Sequence, residues 1–252
     1  MPERFYLFTV KWSNTLFKYD YLNEKLEYVK NANWNIWSSK NIQVHLDLYA
    51  FNINEKECLF VELYEKIARA TNDKPCYKQK IAVRAGDYRN EFSLVCVKGR
   101  TIYLTGGRCK IITETEEKKE QVTLEATSSV LTLDLDTKIL SEIAAMNEPR
   151  YDHTSTVIEE NVYVVAGWND SMTCDKSIEV FSQGRWTVSN LEGFPPRKLA
   201  TVCAINQETI LILGGHRDMK DGGPMMDVLS FNTDEWTVKR TGYIIWKCES
   251  RD

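Results

Sequence analysis

Histidine is scarce in this sequence, with three residues (His45, His153 and His216) in 252. That scarcity argues against a metal centre or catalytic triad from the outset. The seven cysteines form an odd set with no CxxC pair, which fits neither a cysteine zinc site nor a closed disulfide framework. The thiols are read as reduced, and Cys96, inside Ser93-Leu94-Val95-Cys96-Val97, as a small core hydrophobe. Cationic excess is missing too. With a formal net charge of −4 and a pI near 5.6, the chain lacks the attraction that dominates nucleic-acid binding and recruits proteins to anionic membranes. The segment Met1 to Lys11 has no basic n-region or small-residue cleavage site, and no apolar run reaches transmembrane length. The expectation is a cytoplasmic protein with no nucleic-acid partner and no membrane insertion.

What is present is a composition of 43% hydrophobic and 27% charged residues, ordinary for a chain that buries a core, at a length where large all-β folds form one domain. Three apolar runs end alike: Ile102-Tyr103-Leu104-Thr105-Gly106-Gly107, Val162-Tyr163-Val164-Val165-Ala166-Gly167 and Ile210-Leu211-Ile212-Leu213-Gly214-Gly215. Positions 106, 166 and 214 are 60 and 48 residues apart, bracketing a period near 50. Each run follows a second β-rich segment across a short connection, which is a hairpin signature. Downstream of each pair lies a third strand with period-2 alternation, whose fifth position is Leu133, Phe181 or Phe231. The same pattern occurs upstream at Thr15 to Asp20 and at Asp47 to Asn52, so five repeat marks are counted. Two stretches interrupt the period: Thr113 to Thr127, with a charged core read as a solvated loop, and Tyr64 to Asp87, with a weak hint of a helical turn at Leu63, Ile67 and Ala68.

The combination of Pro149-Arg150 and Pro196-Arg197, His153 three residues after Arg150, the glycine pairs, and Trp186 and Trp236 resembles the kelch repeat family. Arginine also recurs before each pair, as Arg89, Arg150 and Arg197 stand 17, 16 and 17 residues ahead of positions 106, 166 and 214. The resemblance implies an all-β fold, a kelch-type β-propeller of five to six four-stranded blades, in one domain spanning 1–252. Two degenerate blades are expected in 4–64, three well-marked ones in 88–239, and a closing strand in 240–252. The ring is then either incomplete or closed by pairing of its N- and C-terminal strands, with Gly242 to Cys248 as first strand to Arg4 to Val10. Trp186 and Trp236 are expected between blades, each burying on the order of 200 Å².

In related domains, residues shortly after the Pro-Arg pair project toward one mouth of the channel. Carried over by position, this marks Asn90, Asp152 and Lys198 as partner contacts. Arg89, Arg150 and Arg197 are suited to bidentate bonds with carboxylates; their competing reading is structural, tying one blade to the next. The function implied is a non-catalytic scaffold that docks a partner protein or peptide, cytoskeletal or an assembly factor. The alternative is a propeller enzyme of oxidase, epimerase or lyase type. A copper oxidase needs histidine and tyrosine ligands converging at one end, and this chain has three histidines, one at the family's structural position. His216 sits in a loop, and Asp218 to Gly223 lacks the alternating ligands of a calcium loop. No catalytic residue, metal or cofactor is expected. Nor does a BTB-like region or F-box precede the repeats, so the ubiquitin-ligase adaptor role of many kelch proteins is not expected.

Overall fold

A run such as Val162-Tyr163-Val164-Val165 is apolar at every position, which suits a strand only when both faces of its sheet are covered. In the computed structural model that run lies in the second strand of a sheet packed between two others. The structure describes strand residues 5–9, 16–20, 25–29, 40–44, 47–53, 59–65 and 77–84, and residues 87–243 apart from 115–119, 172, 174–176 and 218–222.

All elements in these residues are strands. The first sheet is three-stranded and antiparallel, β1 (Phe5–Thr9), β2 (Leu16–Asp20) and β3 (Lys25–Val29). The second is four-stranded, β4 (Lys40–Val44), β5 (Asp47–Ile53), β6 (Leu59–Glu65) and β7 (Tyr77–Arg84), in sequence order. After the two-residue β8 (Arg89–Asn90) comes a third sheet, built from β9 (Ser93–Val97), β10 (Thr101–Thr105), β13 (Val130–Asp134) and β14 (Leu140–Ile143). Between β10 and β13 an extra hairpin, β11 (Arg108–Glu114) and β12 (Glu120–Ala126), pairs with β8. The fourth sheet is β15 (Thr154–Ile158), β16 (Asn161–Val165), β17 (Ser177–Ser182) and β18 (Arg185–Asn190). The fifth is β19 (Thr201–Ala204), β20 (Thr209–Leu213), β21 (Asp227–Asn232) and β22 (Thr237–Tyr243).

First strands lie side by side, β4 against β9, β9 against β15 and β15 against β19, which is the arrangement of blades about a common axis. The core divides accordingly. One cluster joins Phe51 and Val61 of the second blade to Leu104 and Leu131 of the third. Another joins Val95 and Val130 of the third to Val162, Val164 and Trp186 of the fourth. The last joins Tyr163, Val165 and Ile178 of the fourth to Ile212 and Phe231 of the fifth. Alternate residues of β16 thus serve opposite neighbours, the geometric meaning of its unbroken apolar run.

Trp186 is buried between blades as expected, its indole N–H donating to Ala144 O at 2.8 Å. Trp236 keeps the same five-residue spacing but another place. Phe181 pairs with Trp186 in the strand ladder, whereas Phe231 pairs with Val238. Trp236 sits in the preceding turn with φ +54°, half-buried edge-on against Phe231.

The structure corrects the reading of the first half. Asp47 to Asn52 was aligned as a third strand, but it falls in β5, the second strand of its sheet; the third strand is β6. The blade extends to Arg84, because β7 lies in the stretch assigned to an insertion with a helical turn. Ile67 and Ala68 lie outside the described residues. The long interval between the marks at 51 and 133 therefore contains both the rest of this blade and the extra hairpin. The supposed solvated loop at 113–127 is largely strand, with β12 paired to β11 along its length. Gly242 and Tyr243, assigned to a closing strand, continue β22 opposite Val228 and Asp227; 244–252 lie outside the described residues. Among the described residues, no helix is long and apolar enough to cross a membrane.

Candidate binding face

The turn after each second strand reverses the chain beside the next blade, and only unusual backbone fits there. Gly106, Ala166 and Gly214 have φ of +54°, +61° and +58°, and Gly107, Gly167 and Gly215 have +102°, +107° and +104°. The first of each pair donates its N–H to the start of the third strand: Gly106 to Ser129 O, Ala166 to Ser177 O and Gly214 to Asp227 O. The second donates onward, Gly107 to Arg150 O at 2.8 Å and Gly167 to Arg197 O at 3.0 Å. A Cβ on Gly107 would stand 2.5 Å from Asn90 O, so glycine is required.

Into this turn reaches the arginine of the same blade. Arg150 Nη1 donates to Ala166 O at 2.9 Å, and its Nη2 to Ser177 Oγ at 2.8 Å and Glu179 Oε1 at 2.7 Å. Arg197 bonds Gly214 O and grips both Asp227 oxygens, at 3.1 and 3.0 Å. Arg89 holds Asp87 and Ser129 in the same manner. All three guanidinium groups are buried. Expected above as groups for a partner's carboxylates or as ties between blades, they act as ties: the backbone of Arg150 bonds Gly107 and Thr127 of the preceding blade, while its side chain bonds its own. His153, three residues on, is also internal, with Nε2 2.9 Å from Thr105 Oγ1.

The residue following each arginine meets the residue following the glycine pair. Asn90 pairs with Arg108, Tyr151 with Trp168 and Lys198 with His216. These contacts join into a ladder across three blades. The Arg108 guanidinium lies 4.9 Å from the Tyr151 ring, Tyr151 meets Trp168 edge-on at 6.1 Å, and Lys198 Nζ sits 3.4 Å from the Trp168 ring centre. Both aromatics are buried under the cations, a cation–π arrangement. Burial pushes the Tyr151 phenol up, with the Arg108 charge opposing.

One residue further, a second row runs just ahead of the first strands β9, β15 and β19. Glu91, Asp152 and Leu199 have φ of +54°, +52° and +53°, a conformation costly for residues with a Cβ. Asp152 N–H donates to Glu91 O at 3.1 Å and Leu199 N–H to Asp152 O at 2.8 Å. The backbone is thus linked from blade to blade, and Leu199 is exposed.

The predicted contacts therefore separate. Asn90 and Lys198 share one position, and Asp152 belongs to the next, beside Glu91 and Leu199. Counting a fixed offset from each arginine would have found both rows, and the residue after each glycine pair would have marked Arg108 and Trp168. His216 is exposed, as its loop position predicted. Among the described residues, no three His, Cys, Asp or Glu side chains are grouped to hold a metal ion.

Residues 149–190 match the family model described as Kelch motif, which spans Arg150, Tyr151, Asp152 and the whole fourth blade. A solved structure described as "Structure of YjhT" is similar over 85% of this chain at a TM-score of 0.60 and 12% identity. That likeness shows the fold, and the chain spans 66% of that structure's length. No curated protein matches. The fold is a kelch-type β-propeller.

Proposed function

We propose that the chain is a non-catalytic scaffold whose loop face at the channel mouth docks a partner protein or peptide. The observation that carries this reading is the ladder from Arg108 through Tyr151 and Trp168 to Lys198 and His216. It sets cations over aromatic rings beside a strained row that presents Glu91, Asp152 and Leu199. Backbone strain is kept where surrounding structure over-determines it, and it clusters at functional sites. Tyr151 and Trp168 are themselves covered, so they brace Arg108 and Lys198 from beneath, and the groups offered to a partner are those cations and the exposed Leu199. A mixed-charge extended segment suits a face carrying Arg108 and Lys198 beside Glu91 and Asp152.

The test is affinity purification of the full chain with crosslinking and mass spectrometry. A captured protein crosslinked at Lys198 and lost on Lys198→Glu or Leu199→Asp supports the scaffold. Capture indifferent to both substitutions would overturn the assignment of this face. Stoichiometric copper or iron with turnover of a small molecule would overturn the non-catalytic reading.

A further inference from the structure

Among the described residues, the hairpin β11–β12 pairs with another strand at its root only. There β11 pairs with β8, Ala126 packs against Tyr151 and Trp168, and Ala126 N–H donates to Asp170 Oδ1 at 2.7 Å. Farther out, among the described residues, the two strands pair only with each other: Ile111, Ile112 and Val122 are all exposed, with Ile112 directly opposite Val122. A lone two-stranded hairpin is marginal in water, and apolar residues on both its faces are unusual unless something covers them.

The direction of the Ala126 N–H fixes the rest of β12. Asp170 lies away from β11, so Ala126 turns its backbone groups outward, and by the alternation of antiparallel pairing so do Leu124, Val122 and Glu120. Arg108 Nη2 bonding Leu124 O at 2.9 Å agrees, as does Thr113 Oγ1 approaching the inward Gln121 O. Ala126 is therefore capped and Leu124 half capped. Among the described residues, the outward groups of Val122 and Glu120 and the N–H of Leu124 have no backbone partner. The edge from 120 to 126 carries no proline or lysine, the residues that ordinarily blunt such an edge.

We propose that this edge pairs with the same edge of a second copy of the chain, antiparallel and with Val122 on the two-fold axis. That register uses the outward positions and no others: Val122 meets Val122, and Glu120 meets Leu124 in both directions. Thr123 faces Gln121, so no like charges oppose each other, and the Ile112 and Val122 side chains of both copies form one apolar stripe on a shared face. Charge favours antiparallel self-pairing as well. The root carries Arg108 and Lys110 against Glu125, while the far ends of β11 and β12 are Glu114 and Glu120. Each copy's acidic end then comes beside the other's basic root, an isologous arrangement. The hairpin root shares Arg108 with the ladder, but Val122 and Ile112 lie outside it, so variants at Val122 test self-pairing while variants at Lys198 and Leu199 test the docking face.

Cysteine placed on the axis reports the register directly. Directly opposed, hydrogen-bonded strand residues have Cα atoms about 5.5 Å apart, within disulfide reach. Under mild oxidation, Val122→Cys should give the 122–122 linked peptide at about tenfold the yield of the 123–123 link from Thr123→Cys, whose partner sits elsewhere. Sedimentation velocity of the unmodified full chain should show concentration-dependent dimer. Val122→Pro should remove that dimer while keeping the fold, because only an outward N–H is lost. Should that variant fail to fold, Val122→Lys serves instead, setting like charges on the axis and lowering association. A monomer at every concentration overturns the proposal. So do a dimer indifferent to both substitutions, equal crosslinking at 122 and 123, or β12 binding an unrelated peptide in preference to itself.

Discussion

Arg150 Nη2 stands 2.7 Å from Glu179 Oε1 with both side chains fully buried. The same carboxylate accepts the Asn147 N–H at 2.7 Å, the Asn147 side-chain amide at 3.0 Å and the Glu148 N–H at 3.0 Å. One glutamate on β17 therefore fixes both the arginine and the segment leading into its blade. Removing one member of a fully buried, hydrogen-bonded pair leaves an uncompensated charge and costs about 3–5 kcal/mol. Arg150→Met and Glu179→Gln should each lower stability by that order in urea unfolding. Replacing both partners with apolar residues should cost less than the two single changes together. A loss below about 1 kcal/mol in either single variant would contradict the tie.

The last three blades were legible in the sequence because every constraint on them left a residue trace. Glycine marked the left-handed turns, arginine filled them, and strands covered on both faces ran apolar without interruption. The second blade left no such trace: it has neither glycine pair nor tryptophan, and a strand alternating like Asp47 to Asn52 reads equally as second or third. Only pairing partners settle that, and pairing is a long-range property. The ladder was missed for a related reason. Tyr151, Trp168 and Lys198 lie on adjacent turns far apart in sequence, and Asp152 was grouped with Lys198 although its offset from the arginine differs by one. The roles of Arg89, Arg150 and Arg197 were open between partner contact and internal tie until burial decided.

Glu142 joins the second and third blades at their outer edge. Its carboxylate accepts Ser129 Oγ at 2.8 Å and Arg84 Nη2 at 2.6 Å, and these two bonds, in that order, hold its pKa below the usual 4.5. A depressed folded-state pKa contributes stability above the unfolded value that disappears as pH falls through the folded one. Melting temperature should therefore drop below pH 4.5 more steeply in the unmodified chain than in Glu142→Gln. The group is half exposed, so the difference should be within about 1 kcal/mol. Parallel acid limbs in the two proteins would remove this bond from the inter-blade contacts.

Cys96 and Cys109 sit half-buried in β9 and β11, and burial is the largest influence raising both thiols. Cys203, on β19, is exposed. Since the thiolate is the reactive species, iodoacetamide at pH 8 on the native chain should modify Cys203 about tenfold faster than the other two. Peptide-level mass spectrometry separates these sites from Cys58, Cys76, Cys174 and Cys248. Equal labelling of Cys109 and Cys203 would show that the root of the hairpin opens.

Ala166 departs from the glycine rule without breaking the fold, and the next blade explains it. At Gly106 an added Cβ would lie 2.5 Å from Arg150 O and 2.7 Å from His153 Cε1, so a backbone carbonyl and the imidazole both crowd the space. The residue equivalent to His153 in the following blade is Ala200, buried in one cluster with Ala166. A small residue there leaves room for the methyl group. Ala200→His should then destabilise strongly, and Ala166→Gly should recover part of the loss, with a coupling of about 1–3 kcal/mol between neighbours. Recovery should be incomplete, because Thr105, which bonds His153, is matched by Val165, which offers no hydrogen bond. Strictly additive effects in thermal unfolding of the two single variants and the double variant would mean that the Arg150 carbonyl, and not His153, keeps position 106 a glycine.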